Sequence, residues 1–333
     1  MPIEHLFLFS REDALKETME KAIAPFWANR QRGEFVGQDG LRLNWCAFTK
    51  PEHTRAIVVV NGRIEGVAKY QELFFDLFNQ GFDVYSYDHR GQGHSQRLVT
   101  GSDIGHVVAF DHYVDDLETF INEVVTRKTH LQRMILAHSM GGAVSTLYAA
   151  RKPNAIDALA LSAPMFGINL SRPLQVTAKP LCQVLSKLQH PAGFAPGQMP
   201  YWAKPFKQNL LTQSEARYQW FRKLYEKDET LKVGGPSAQW IWQSIEACRR
   251  IRNAATDIEI PILLMQAACD QVVCNQAMFQ FYRNRQAADL PIQFEILAGS
   301  RHELLFEVDA IRDKSLTLIL EFFNTLNGES IQE

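Results

Sequence analysis

The 333-residue sequence has little cysteine, no long uncharged apolar run and almost no net charge. Its five cysteines, Cys46, Cys182, Cys248, Cys269 and Cys274, are odd in number and form no C-x-x-C pair. This excludes a disulfide framework and a cysteine-rich metal site, and it suits a reducing compartment. No stretch reaches the length needed to span a bilayer. Glu4, Arg11, Glu12 and Asp13 stand where a secretory leader needs an apolar core, so a protein that is cytosolic, or held at a membrane from the cytosolic side, is expected. A formal net charge of -2 leaves no electrostatic footprint for nucleic acid. Internal repeats and low-complexity segments are also missing. The length and the 46% hydrophobic content suffice for one large core, or for a core carrying an insertion.

The apolar pattern gives the order of elements. Residues 12–30 predict a helix, with Leu15, Met19, Ile23, Phe26 and Trp27 near one face. Residues 34–37 and 41–48 read as strands joined by an Asp39-Gly40 turn. Buried strands are then predicted at 56–60, 83–87, 133–137 and 156–162, with helices at 68–80, 110–126 and 139–152 between them. The alternation resumes with strands at 261–266 and 291–298 and helices at 275–286 and 308–323. Strands alternating with helices imply an α/β fold with a mostly parallel central sheet and helices on both faces.

Residues 165–253 break the pattern. They hold four of the six tryptophans and helical patterns at 214–226 and 237–252, but no strand of comparable quality. The chain therefore divides into a core domain, residues 1–164 and 254–333, and a helical cap at 165–253 inserted after the sixth strand. The cap carries thirteen Lys and Arg against five Asp and Glu, a net +8 in a chain of net -2. Such a surface is either simply solvated or turned toward anionic lipid and phosphate-bearing molecules.

The chemistry centres on Arg133–Gly142, which reads RMILAHSMGG. A serine between a buried strand and a helix, flanked by small residues, matches a nucleophile elbow. Gly141 fits the G-x-S-x-G pattern, but Ala137 replaces its first glycine; the plainer reading of Ser139 is a helix cap. Serine needs a base to take its proton, and the base needs an acid to orient it, in the chain order Ser, Asp or Glu, His. Only His190 and His302 follow Ser139, and His302 comes just after the last strand, on the edge where α/β sites gather. Asp270 directly follows the 261–266 strand, whereas Asp257, Glu259 and Asp289 precede theirs. The expected catalytic residues are Ser139, Asp270 and His302. The oxyanion donors are the amides of Met140 and Arg63, the latter in the loop Asn61-Gly62-Arg63-Ile64-Glu65. No metal or organic cofactor is required.

These motifs, with Asp88-His89-Arg90-Gly91-Gln92-Gly93-His94-Ser95, fall in the order found in α/β-hydrolases. The chain resembles the monoacylglycerol-lipase branch and, within it, bacterial lysophospholipases. Gly81-Phe82-Asp83-Val84, Tyr113-Val114-Asp115-Asp116-Leu117, Ala163-Pro164-Met165-Phe166-Gly167 and Val233-Gly234-Gly235-Pro236 carry the closer resemblance. It implies an α/β-hydrolase fold and hydrolysis of the acyl ester of lysophospholipids to a fatty acid and a glycerophosphodiester. It also implies a cytoplasmic protein held peripherally on the bacterial inner membrane. Asn61 departs from the usual His-Gly loop, and the Asp88–Ser95 motif is expected to organise a loop rather than to react. Phe166, Trp202, Phe206 and Trp240 are the expected substrate-binding residues, since an aromatic cap offers an apolar acyl site. A monoacylglycerol lipase or general carboxylesterase would use the same triad. A catalytically silent membrane-surface protein is the non-enzymatic alternative.

Overall fold

In the computed structural model, which describes residues 8–189 and 192–326, the apolar runs assemble into one eight-stranded sheet. His190 lies outside the described residues. The strands are β1 (Gln31–Val36), β2 (Arg42–Phe48), β3 (Arg55–Val60), β4 (Phe82–Tyr87), β5 (Gln132–His138), β6 (Ala158–Ser162), β7 (Ile262–Ala267) and β8 (Ile292–Leu297). Their spatial order is β1-β2-β4-β3-β5-β6-β7-β8. The expected hairpin forms the antiparallel edge β1-β2, β2 also runs antiparallel to β4, and every later pairing is parallel. β3 shows why the sheet is covered on both faces. Ala56, Val58 and Val60 join one hydrophobic cluster while Ile57 and Val59 join the other, following the two-residue period of a strand.

The first helical segment is α1 (Leu15–Thr18) and α2 (Ala24–Ala28), joined by a π-helical turn at Met19–Ile23. The turn ends next to Pro25, which has no amide to continue the ladder. It is followed by α3 (Gln71–Asn79), α4 (Asp111–Glu123), α5 (Met140–Arg151), α6 (Arg172–Leu188), α7 (Glu215–Lys227), α8 (Ala238–Asn253), α9 (Asn275–Ala287) and α10 (Asp309–Thr325). Residues of α3 and α10 cover one face of the sheet, and residues of α4, α5, α8 and α9 cover the other.

Helices α6, α7 and α8 occupy the segment between β6 and β7. Helix α6 is not among the helical patterns read from the sequence, and it contains two prolines. Pro173 sits in the first turn, where its missing amide costs little, and the helix continues through Pro180. The second half of α8 packs into the core through Ala247, Cys248 and Ile251. Helix α7 is fastened by Arg217. Its guanidinium donates to Glu72 of α3 at 2.9 Å, to Asp309 of α10 at 2.8 Å and to the Glu307 carbonyl at 2.7 Å, all buried. Removing one member of such a group leaves an uncompensated buried charge. Arg217→Met should therefore lower the unfolding free energy by about 3–5 kcal/mol, read from urea denaturation.

Candidate active site

The turn between β5 and α5 is built by close approach. Ser139 has φ 52° and ψ −117°, a conformation that side-chain-bearing residues seldom adopt. Gly141 stands where a Cβ would lie 2.2 Å from the Val60 carbonyl oxygen and 2.5 Å from that of Asn61. Only glycine fits there, because both neighbours are backbone. Ala137 lies one residue before the end of β5, in register with Val60 and Leu161, and is fully buried, so the sheet accommodates its methyl group. The Ser139 amide donates to the Ser162 carbonyl, and the Ser139 carbonyl accepts from Met165, which fixes the turn to the end of β6.

Ser139, His302 and Asp270 form one hydrogen-bonded chain. His302 Nε2 lies 2.9 Å from Ser139 Oγ, and His302 Nδ1 lies 2.7 Å from Asp270 Oδ2. The ring therefore offers Nε2 to the hydroxyl when Nδ1 holds the proton. The other carboxylate oxygen of Asp270 accepts from the Val272 and Val273 amides. Burial alone would raise the Asp270 carboxyl, but its bonds to His302 and these amides outweigh that effect and hold it below the usual range. His138 packs its ring 4.8 Å from that of His302, and burial lowers its pKa to about 4, so it stays neutral at pH 7.

The loop after β3 faces this chain. A Cβ on Gly62 would lie 3.2 Å from the Ser139 Cβ and 2.8 Å from Glu65 Oε2, so glycine lets the loop close on the serine. The loop is held by side chains. Gly62 donates its amide to Glu65 Oε2 at 2.6 Å, and Tyr70 donates its hydroxyl to the same oxygen. Gln92 accepts from the Ile64 amide and donates to the Gly62 and Glu65 carbonyls. Asn61 donates to the Tyr87 carbonyl, and its own carbonyl accepts from His89. This set of bonds gives the loop its polar support with Asn61 in place of the usual histidine. The Asp88–Ser95 segment does organise the loop, chiefly through Gln92. Arg90 instead binds Asp116 on α4 and the Gln38 carbonyl.

Under the loop lies a buried charge cluster. Lys69 donates to Glu65 at 2.7 Å and to Glu303 at 2.6 Å. Glu65, His138 and Glu303 are spaced closely enough to hold a cation, but the Lys69 ammonium already bridges the two carboxylates. Ser139 and His302 open onto a cavity of about 620 Å³ roofed by the β6–β7 insertion.

The profile of the family described as "Serine aminopeptidase, S33" matches residues 51–309. The chain belongs to this family. It is also 40% identical over 324 residues to "Lysophospholipase L2" of Escherichia coli strain K12, covering 96% of this chain and 95% of that one. "Probable lysophospholipase L2" of Haemophilus influenzae is 30% identical over 305 residues, covering 91% and 95%. The fold resembles the crystal structure of a thermostable carboxyl esterase from Bacillus coagulans, with a TM-score of 0.74, 18% identity and coverage of 89% and 98%.

Membership of this family does not determine the lining of the cavity, which the structure supplies. Trp202 and Trp240 line it as expected. Phe166 does not: it is fully buried against Phe281, 4.5 Å between ring centroids, in the core beneath. Phe206 does not either, since it packs against Tyr218 on the side of α7. Residues that sequence reasoning passed over do line it: Tyr218, Phe221, Arg222 and Tyr225. Their i, i+3, i+4, i+7 spacing on α7 was the available signal. If Gln92 positions the loop, Gln92→Leu should lower kcat on an ester substrate about 10- to 100-fold while KM stays within about twofold. Steady-state kinetics with a thermal melt of the variant would check this.

Proposed function

We propose that this protein is a serine-dependent lysophospholipase. Ser139 attacks the ester carbonyl while His302 Nε2 takes its proton, and Asp270 holds the ring and stabilises its charged form. The amides of Met140 and Arg63 receive the oxyanion. Met140 opens α5, where an amide has no partner within the helix, and Arg63 follows the anchored Gly62 beside Ser139. His302 then returns the proton to the leaving glycerol oxygen, and water releases the fatty acid from the acyl-enzyme by the same route. The observation that carries this reading is the continuous bond chain from Ser139 through His302 to Asp270 at the mouth of an apolar cavity.

The substrate class rests on the 40% identity to a lysophospholipase and on the character of the cavity. Aromatic residues of the inserted cap suit one acyl chain, and its cations suit a phosphate-bearing head group. The family's aminopeptidase description fits less well. The carboxylates near Ser139 that could hold an amino terminus, Glu65 and Glu303, are already bridged by Lys69. Ser139→Ala should abolish covalent labelling by a fluorophosphonate probe and cut hydrolysis by about 10³-fold or more. On a panel of esters sharing one acyl chain, lysophosphatidylethanolamine should exceed monoacylglycerol in kcat/KM; the reverse order would favour the monoacylglycerol lipase reading.

The enzyme works in the cytoplasm against the inner face of the membrane, with α6 as its contact. No described helix is long and apolar enough to cross a membrane. On α6, however, Leu174, Leu181, Val184 and Leu188 are 45%, 47%, 58% and 75% exposed and recur along one side, beside the exposed Lys187. Such a face enters the boundary between headgroups and acyl chains. Leu181→Asp combined with Leu188→Asp should abolish co-sedimentation with vesicles of phosphatidylethanolamine and phosphatidylglycerol, while hydrolysis of a water-soluble ester persists.

A further inference from the structure

The fully buried arginines of this fold show what a buried guanidinium ordinarily requires. Arg90 binds Asp116, Arg217 binds Glu72 and Asp309, Arg312 binds Asp76, and Arg285 donates to four backbone carbonyls. Two part-buried arginines on the cavity wall lack comparable partners. Arg63 gives one bond, Nη2 to the Gly234 carbonyl at 2.7 Å, and lies over the Trp240 ring at 4.9 Å. Arg222 donates to the hydroxyls of Tyr201 and Tyr218, each at 2.9 Å, and lies over the rings of Tyr218 and Phe221 at 4.9 and 5.3 Å. The Nε of both is buried without a partner, as is that of Arg285, and neither has a carboxylate within 4.0 Å among the described residues. Burial lowers Arg63 to about 10, so the group keeps its charge at pH 7 without a counter-ion. The two share one wall: Gly234, which accepts from Arg63, packs against the Tyr201 amide, and Tyr201 accepts from Arg222.

A cation partly removed from water without an anion is costly, and the cost is recovered when an anion binds. Guanidinium forks match phosphate oxygens in geometry as well as charge. We propose that Arg63 and Arg222 are the receptor for a phosphate anion carried on the glycerol of the substrate, and that they select lysophospholipids over uncharged monoacyl esters. This rests on the hydrolase reading above. It also gives Arg63 two roles. The guanidinium carbon lies as many covalent bonds from the Arg63 amide nitrogen as phosphorus lies from the ester carbonyl carbon of an sn-1 lysophospholipid. One residue can therefore hold the oxyanion with its backbone and the phosphate with its side chain.

Arg222 is the residue to change, since Arg63 also serves the oxyanion loop. Arg222→Gln should lower kcat/KM on lysophosphatidylethanolamine about tenfold more than on monoacylglycerol of the same acyl chain. Arg222→Lys, which keeps the charge and loses the fork, should fall between Arg222→Gln and the parent. Glycerophosphoethanolamine should compete with monoacylglycerol in the parent and lose that competition in Arg222→Gln; inorganic phosphate, lacking the glycerol, should compete less well in the parent. Lys223→Gln removes the same charge from an exposed neighbouring position on α7. Equal loss on both substrates in a folded Arg222→Gln protein overturns the receptor, as does the same selectivity change in Lys223→Gln. Stronger competition by inorganic phosphate than by the glycerophosphodiester overturns the headgroup assignment in favour of a free-phosphate site. If the parent hydrolyses monoacylglycerol better than lysophospholipid, the substrate reading itself fails, which is a separate outcome.

Discussion

Lys69 places its ammonium between two buried carboxylates, and each carboxylate belongs to a different loop at the carboxyl edge of the sheet. Glu65 closes the loop after β3, and Glu303 follows His302 after β8. One cation thus fixes the distance between the loop that bears Arg63 and the loop that bears His302. Two carboxylates against one ammonium leave the cluster short of positive charge. Burial and the neighbouring Glu65 therefore raise the Glu303 carboxyl, Lys69 notwithstanding, while Lys69 and the surrounding donors overcome burial at Glu65 and hold it down to about 2. Glu65 stays ionised to accept the Gly62 amide and the Tyr70 hydroxyl, and so the loop keeps its shape.

The reacting chain was legible in the sequence because backbone geometry restricts it. A strand that turns sharply into a helix must have a small residue where Gly141 meets the carbonyls of β3. A carboxylate or imidazole can reach Ser139 only from the carboxyl end of a strand, which separated Asp270 from Asp257, Glu259 and Asp289. The cavity wall was less legible because hydrophobicity does not report direction. Phe166 and Trp240 are both aromatic and both nearly buried, yet one fills the core under β6 and the other faces the cavity. Local residue type could not separate them; the packing of α8 and α9 did. The Asp88–Ser95 motif was expected to organise a loop, but which of its residues does so was hidden for another reason: the three hydrogen bonds of Gln92 go to backbone groups of a loop far away in sequence.

The charge of the insertion changes meaning once pairing is visible. Composition put thirteen cations there, but several are committed to partners. Arg217 is spent on Glu72 and Asp309, Lys179 and Arg249 share Glu246, and Arg250 binds Asp111. The buried Arg217 contacts fasten α7 to the core, whereas the Lys179, Arg249 and Arg250 pairs are partly exposed and add little stability. The basic character open to a ligand is consequently narrower than the count of +8 implies, and part of it is concentrated around Tyr201, where Arg222 meets the cavity.

Chemistry and selection therefore draw on different parts of the chain. The proposed triad residues follow β5, β7 and β8, which lie in one run of parallel pairings that fixes their spacing. The proposed acyl and headgroup surfaces come mainly from the insertion, which contributes no strand to the sheet and can vary without disturbing that spacing. Arg63 is the point of overlap, because its backbone belongs to the core loop and its side chain reaches an insertion carbonyl. A change in the insertion near Gly234 would move the Arg63 guanidinium while Gln92 and Glu65 still held its loop. Substrate preference can then shift at constant reaction chemistry, because the side chain of Arg63 moves with the insertion while its backbone stays with the core.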